Sequence, residues 1–356
     1  MAYTTIDDPS AHFQVATWSG NNSNQAITND GNSDLQPDLV WIKARNEASD
    51  HALLDSTRGL SARLHSNTND QETSDSTATM SSFDSDGFTM TSANVANDAN
   101  DTGVAWQWKA NGGTTTTNDA SATSIGSQDS VYQANTTSGF SIVTYGELGS
   151  GGTIAHGLGT TPHMIWVKSR DGSRNWCIYH HKNTSAPETD FLSFDQNVAT
   201  QDATVWNDTA PTSTVFSVSG DGKVGTDEKY VAYCFAEIQG YSKFGGYTGN
   251  GDADGPFIYT GFKPVWVMIK ETGATGSWHI FDNKRKVGNP SDSILYADLD
   301  NAEGTSQTGN PIDILSNGFK CRGSGNDTNL DTGTYVYMAF AEHPFVSSEG
   351  VPCTAR

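Results

Sequence analysis

Pro37-Asp38-Leu39-Val40-Trp41-Ile42-Lys43 is answered by Pro162-His163-Met164-Ile165-Trp166-Val167-Lys168, and again by Pro264-Val265-Trp266-Val267-Met268-Ile269-Lys270. In each case a proline opens an apolar run and a lysine closes it six residues later. The match continues outward without a gap. Fourteen residues after the prolines stand His51, Trp176 and Trp278, then Leu53-Leu54, Ile178-Tyr179 and Ile280-Phe281, then Asp55, His180 and Asp282. Self-similarity at a fixed spacing marks a tandem array of one packed unit. Such a chain is more often a scaffold or a binding surface than an enzyme, which concentrates its polar machinery in one place.

Further downstream each unit enters another strand at Asp86-Gly87-Phe88, Thr214-Val215-Phe216 and Asn317-Gly318-Phe319. Each closes on an aromatic-rich strand: Val104-Ala105-Trp106-Gln107-Trp108, Val231-Ala232-Tyr233-Cys234-Phe235 and Val336-Tyr337-Met338-Ala339-Phe340. Upstream, each opens with a strand and a glycine turn, beginning at Phe13, Phe140 and Phe244. The units therefore span 1–111, 138–240 and 241–345. Residues 112–137 are rich in Thr, Ser, Asn and Gly and cannot bury enough surface to offset their ordering entropy alone. They read as a linker, extended against a neighbour. Residues 346–356 form a short polar tail.

Short apolar runs rich in Val, Ile, Trp, Tyr and Phe, bounded by Gly, Asn, Asp and Ser, are strand signals. Long runs of helical period are missing, so the chain reads as all-β. Seven to nine short strands in about 100 residues favour a β-sandwich for each unit. The proline-led run is apolar almost throughout, so both of its faces should be buried, against a second layer or a neighbouring unit. It should pair as a hairpin with the strand that follows, through a loop of four or five residues. The prolines should precede their strands, where a missing N–H harms no ladder bond. Lys43, Lys168 and Lys270 should mark the strand exits as snorkelling rim residues.

The formal charge is −21, from 41 acidic and 20 basic residues. That opposes a nucleic-acid surface, which needs a basic footprint, and an electrostatic anchor on anionic membranes. No stretch has the length of a transmembrane helix, and Met1-Ala2-Tyr3-Thr4-Thr5 opens without a basic end or apolar core, so synthesis in a cytoplasm without export is expected. Cys177, Cys234, Cys321 and Cys353 lack metal spacing and read as small thiols, three of them in apolar strands, with a Cys177–Cys234 bridge the one pairing within a unit.

Few residues suggest chemistry. Asp327-Thr328-Asn329-Leu330-Asp331-Thr332-Gly333 places Asp327, Asn329 and Asp331 at alternate positions before a glycine, in partial likeness to a calcium loop. The distal glutamate of an EF-hand is missing, so a polar hairpin loop is the competing reading and Ca2+ the only cofactor to consider. His180 and His181 are adjacent on a strand and should face opposite ways. Asp55-Ser56-Thr57-Arg58 and Asp282-Asn283-Lys284-Arg285 share a spacing that suits an ion pair holding a turn, with His180 and Asn183 at the matching places of the second unit. A glycosidase would need two carboxylates across a cleft, and no paired motif stands out. Most aromatic residues fall at matching strand positions and read as core. Trp206, beside Asn207 and Asp208, breaks that pattern and reads as an exposed ligand-contact residue.

Several motifs resemble virion structural proteins of marine tailed phages. They are Met1-Ala2-Tyr3-Thr4-Thr5-Ile6-Asp7-Asp8-Pro9-Ser10, Ala105-Trp106-Gln107-Trp108-Lys109-Ala110-Asn111-Gly112-Gly113, His156-Gly157-Leu158-Gly159-Thr160-Thr161-Pro162, Tyr337-Met338-Ala339-Phe340-Ala341-Glu342 and Gly350-Val351-Pro352-Cys353-Thr354-Ala355-Arg356. The resemblance implies three tandem lectin-like (concanavalin-type, jelly-roll) β-sandwich repeats in a non-enzymatic tail-fibre or capsid-decoration protein at the surface of a bacteriophage particle. It implies partners among capsid or tail proteins, a homo-oligomer such as a trimer, and contact with host-surface glycans. A dedicated carbohydrate-binding adhesin is the alternative, and a glycan-cleaving tailspike enzyme a more distant one. It carries over no catalytic residue.

Overall fold

A computed structural model describes residues 3–74, 79–92, 95–226 and 228–352. Met1 and Ala2 of the opening motif, and Cys353 with the three residues after it, lie outside the described residues. The described chain is all-β: its sheets are antiparallel and its two α-helices, Ala120–Thr123 and Asn326–Asn329, are single turns. No helix among the described residues is long and apolar enough to cross a membrane.

Three main sheets share one strand order. The first runs Phe13–Ser19, Thr102–Trp108, Leu39–Ala44, Ala52–Asp55. In the second, Cys177–His180, Met164–Ser169, Tyr230–Phe235 and Phe140–Tyr145 lie in the reverse listing, extended by Ser130–Asn135 and Thr116–Asn118. The third runs Ser242–Thr248, Thr334–Pro344, Phe262–Glu271, His279–Asp282, Leu295–Tyr296. Opening and closing strands of each segment are therefore neighbours, and the proline-led strand lies between the closing strand and its hairpin partner. The registers agree as well: Leu39 faces Trp108, Met164 faces Phe235 and Trp266 faces Phe340, while Trp41, Trp166 and Met268 face Trp106, Tyr233 and Met338.

Side chains along a strand alternate between two faces, and the proline-led strands use both. Leu39, Trp41, Met164, Trp166, Trp266 and Met268 all enter one cluster shared by the three sheets. The alternate residues enter three separate clusters: Val40 and Ile42 with Phe88, Ile165 and Val167 with Phe216, Val267 and Ile269 with Phe319. Those phenylalanines sit on small outer sheets, namely Gln25–Ile27 with Gly87–Met90 and Met80–Asp84, Gly151–Ala155 with Val215–Ser219, and Phe257–Tyr259 with Gly318–Cys321 and Ile312–Leu315. Each main sheet is thus covered by an outer sheet on one side and by the other two main sheets on the other, which accounts for its almost continuous apolar sequence.

Seven tryptophans, Trp41, Trp106, Trp108, Trp166, Trp176, Trp266 and Trp278, lie in the shared core. Trp108 packs its ring against Phe13 of its own sheet, Trp166 and Phe235 of the second, and Trp266 and Phe340 of the third. Many pairs are edge-to-face, as between Trp108 and Trp266 at an interplanar 89°.

Three local expectations change. Residues 112–137 do not remain a linker throughout: Thr116–Asn118 and Ser130–Asn135 add two strands to the second main sheet. Polar side chains suffice there because the ladder supplies the backbone partners and an edge needs little apolar cover. Pro264 lies inside its strand, at a register irregularity that absorbs the missing N–H, whereas Pro37 and Pro162 precede theirs. The hairpin connections at 170–176 and 272–278 are longer than expected, because Trp176 and Trp278 lie in them and not in the strands.

Candidate functional site

Polar chemistry gathers along the seams where the main sheets meet. Between the first and second, Asp55 Oδ1 accepts the N–H groups of Thr57 and Arg58, closing the turn. Its Oδ2 accepts from Arg58 Nε at 2.5 Å and from the Tyr233 hydroxyl at 2.7 Å. Arg58 Nη1 reaches Glu72 at 2.7 Å, and Glu72 binds Arg170 of the second segment at 2.8 Å. Burial works against the charge on Arg58, but Asp55 and Glu72 outweigh it and raise its pKa.

The seam between the third and first sheets is built likewise. Asp282 closes its turn, accepts from Arg285 Nε at 2.6 Å and from Trp106 Nε1 at 3.0 Å. Arg285 reaches Glu303 at 2.7 Å, which binds Arg45 of the first segment at 2.8 Å. The expected turn-holding ion pairs are present, and each also locks two sheets together. Between the second and third sheets the same places carry neutral groups. His180 Nε2 lies 3.1 Å from Tyr337 O, and Thr200 Oγ1 donates to Asn183 Oδ1 at 2.6 Å. One backbone bond recurs across all three seams: Glu72 N to Arg170 O at 2.8 Å, Thr200 N to Thr272 O at 2.9 Å and Glu303 N to Arg45 O at 2.7 Å.

A second set of bonds closes the ring. Trp176 Nε1 donates to His65 O at 2.7 Å, Trp278 Nε1 donates to Ser193 O at 2.7 Å, and His51 Nε2 lies 2.8 Å from Tyr296 O. Second thus reaches first, third reaches second, and first reaches third. His51 Nδ1 accepts from Trp41 Nε1, so the donor of this ring must be Nε2 and the imidazole is neutral. Burial holds its pKa down to about 3, and that of His180 likewise.

Lys43, Lys168 and Lys270 do not snorkel: all three are fully buried. Their ammonium groups cap backbone carbonyls, Lys43 at Ala44 and Glu47, Lys168 at Ser169 and Asn69 of the first sheet's segment, Lys270 at Glu271. Burial lowers each pKa to about 8, with nearby carboxylates such as Asp300, Asp195 and Asp298 opposing. The strand continues past the lysine into a seam, so its exit is covered, not exposed.

Asp327, Asn329 and Asp331 are not brought around one point by bonds to a common centre. Asn329 is buried, its amide donating to Asn250 Oδ1, Asp252 O and Gly323 O, and its Oδ1 accepting from Asn250 N. Asp327 accepts from Ser277 N and lies 3.9 Å from His279, while Asp331 is exposed. No group of three His, Cys, Asp or Glu that could hold a metal ion occurs among the described residues. Trp206 is not exposed: only 2% of it is accessible, its ring packs edge-on against Tyr179, and Nε1 donates to Asp190 O at 3.0 Å. A short 3-10 turn, Thr204–Trp206, folds the indole into the second segment's own core, which is why neighbouring Asn207 and Asp208 misled. Cys177, Cys234 and Cys321 are free, buried thiols, and His180 and His181 bond separate carbonyls.

Several concavities among the described residues open to solvent. One of about 170 Å³ lies at the seam of the first and third sheets, between Phe13, Val15, Asp30, Lys284, Glu342 and His343. Lys284 closes one rim on Asp30 at 2.7 Å. A shallower one of about 320 Å³ is lined by Thr117, Asp129, Thr144, Arg170 and Lys229.

A family model described as "Domain of unknown function (DUF7483)" matches residues 8–344. Nothing among curated proteins matches the chain significantly. The chain belongs to the DUF7483 family.

Proposed function

For a chain of that family we propose a structural role in a phage virion, without enzymatic activity. The three segments are taken as tandem lectin-like, jelly-roll sandwich repeats closed into one body, serving as a short tail fibre or as a capsid-surface decoration that meets host glycans. The observation that carries the reading is where the polar machinery goes. The buried ion clusters Asp55–Arg58–Glu72–Arg170 and Asp282–Arg285–Glu303–Arg45 join one sheet to the next. An enzyme would aim such groups into a cleft. The motif resemblance supplies the virion, and the net charge of −21 suits particles that must not aggregate or adsorb to nucleic acid.

Fibres and decorations often build closed rings from identical subunits. This chain closes a comparable ring within itself, so a homotrimer would be an additional level of assembly. Electron cryomicroscopy of the intact particle tests the reading. Density over the shell makes the protein a decoration and density on the tail makes it a fibre. Purified particles that lack the chain by mass spectrometry sink the proposal.

A further inference from the structure

The outer sheets are not alike, and the difference falls on solvent-facing side chains. In each, an isoleucine on the edge strand faces the marker phenylalanine inside: Ile27 with Phe88, Ile154 with Phe216, Ile258 with Phe319. The residues flanking that isoleucine are small in two segments: exposed Ala26 and Thr28 in the first, half-buried Thr153 and buried Ala155 in the second. In the third they are Phe257 and Tyr259, 46% and 52% exposed. Flanking residues on a strand share the outward face and stand about 7 Å apart. Two large aromatics in water, where the exposed edge of the first segment carries only Ala26 and Thr28, are not demanded by folding.

The rings are also supported. Opposite Tyr259 stands Gly318, and a side chain there would begin 3.1 Å from Phe257 Cε2, so the ring lies over the bare backbone. Tyr259 is held from behind: its hydroxyl lies 3.1 Å from that of Tyr3, which donates to Gly261 O at 2.7 Å. Gly261 has φ +86, where a side chain would be strained. Charged pairs rim the rings. Lys320, opposite Phe257, bridges to Asp254 at 2.6 Å, and Arg322 to Asp313 at 3.3 Å.

We propose that Phe257 and Tyr259 form a stacking platform for a neutral hexopyranose glycan, with Lys320, Asp254 and Arg322 meeting its hydroxyls. Size favours a sugar over a protein. Two rings offer at most about 500 Å², against the ~800 Å² per partner that a stable protein interface needs. An anionic glycan is disfavoured by the net charge of −21. This site deepens the glycan-contact part of the proposed function and rests on it, but it stands or falls separately from the virion.

The test uses the full chain in native gels cast with hydroxyethyl cellulose, laminarin, a galactan or a mannan, through which so acidic a protein migrates freely. At least one polysaccharide should retard it. Phe257→Ala with Tyr259→Ala, both exposed and outside any core, should abolish that retardation, each ring costing about tenfold in affinity, while Val287→Ser, another exposed apolar site, should not. No retardation by any of the four polysaccharides overturns the platform. Retardation that survives the double substitution overturns it too, though it leaves glycan contact standing elsewhere on the chain. A double variant that is lost from particles without any glycan effect would make the patch a protein dock and overturn it. A platform that binds sugar on a chain absent from particles would sink the virion reading alone.

Discussion

Two seams of this molecule carry a buried ion cluster, and the third, on the same backbone scaffold, puts neutral groups at the matching places. Where the first meets the second sheet, and the third meets the first, an aspartate and an arginine three residues apart continue through a glutamate to an arginine across the seam. Where the second meets the third, His180, Asn183, Thr200 and Thr272 take those four places, and the cross-seam backbone bond is retained. The groups facing the cluster change with it. Tyr233 and Trp106 donate to the aspartates, whereas the matching Met338 has no polar hydrogen to give. Charge is therefore optional in such a seam and matching is not, as expected when desolvation roughly cancels the attraction within a buried pair.

Breaking a match should cost far more than exchanging one kind for the other. Asp282→Ala leaves Arg285 buried beside Glu303 with one partner gone, and it orphans Trp106 Nε1. Urea unfolding should show a loss of about 5 kcal/mol. Replacing the whole first cluster by the neutral one, with Asp55→His, Arg58→Asn, Glu72→Thr, Arg170→Thr and Tyr233→Met together, should cost no more than about 2 kcal/mol in total. A transplant as damaging as the single aspartate loss would show that the charge itself holds that seam.

The shared core and the separate cores offer the next contrast. Trp108 touches rings from all three sheets, whereas Trp206 packs only within the second segment. Trp108→Ala should cost about 4 kcal/mol and speed amide exchange in all three main sheets. Trp206→Ala should cost a similar or smaller amount and speed exchange in the second segment only. Equal spreading of the two effects would mean that the body has no subdivisions.

Much of this was legible in the sequence because the fold repeats its demands. The apolar run from Leu39 to Ile42 announced two buried faces, and Asp55 and Arg58 announced their turn pair. What stayed hidden was distance in three dimensions. Glu72 and Arg170 are 98 residues apart and no fixed spacing links them. The lysines looked like strand exits because nothing local says that another sheet covers them. Trp206 was misread for a similar reason: its polar neighbours describe the turn surface, while its ring is taken by Tyr179 from a strand far upstream. Phe257 and Tyr259 differ again, for they could have been found by aligning the edge strands, where Ala26 and Thr153 mark the small residue that folding alone accepts.

A smaller effect separates the first sheet from the other two. The N–H groups of His51, Trp176 and Trp278 are taken by Asn67, Asp195 and Asp298 respectively. Burial raises both aspartates from 3.8 to about 6. The unfolded chain then ionises before the folded one, so their contribution is most favourable below about pH 4 and is lost as pH rises through 6. Buried His51 and His180, held near 3, act oppositely: the unfolded state takes their protons first, and stability falls as pH drops below 6.5. Asp195→Asn with Asp298→Asn, copying Asn67, should raise stability at pH 7 by about 2 kcal/mol and leave a steeper acid loss. A variant less stable at pH 7 would show that Lys168 and Lys270 depend on those charges.

The smallest effect is expected at the loop of Asp327, Asn329 and Asp331. A calcium site needs several oxygens free to converge on the ion. Asn329 already engages its side-chain oxygen with Asn250 N and its backbone oxygen with Gly251 N, and Asp327 engages one oxygen with Ser277 N. To bind calcium the loop would have to surrender bonds that fasten residues 250–252 to the single helical turn beside them. Millimolar calcium, or a chelator, should therefore move Tm by less than about 1 °C, since stabilisation by a ligand grows only once its concentration exceeds Kd. A rise of several degrees that Asp331→Asn removes would show that the loop rearranges around a metal, and that the bonds of Asn329 belong to the metal-free form only.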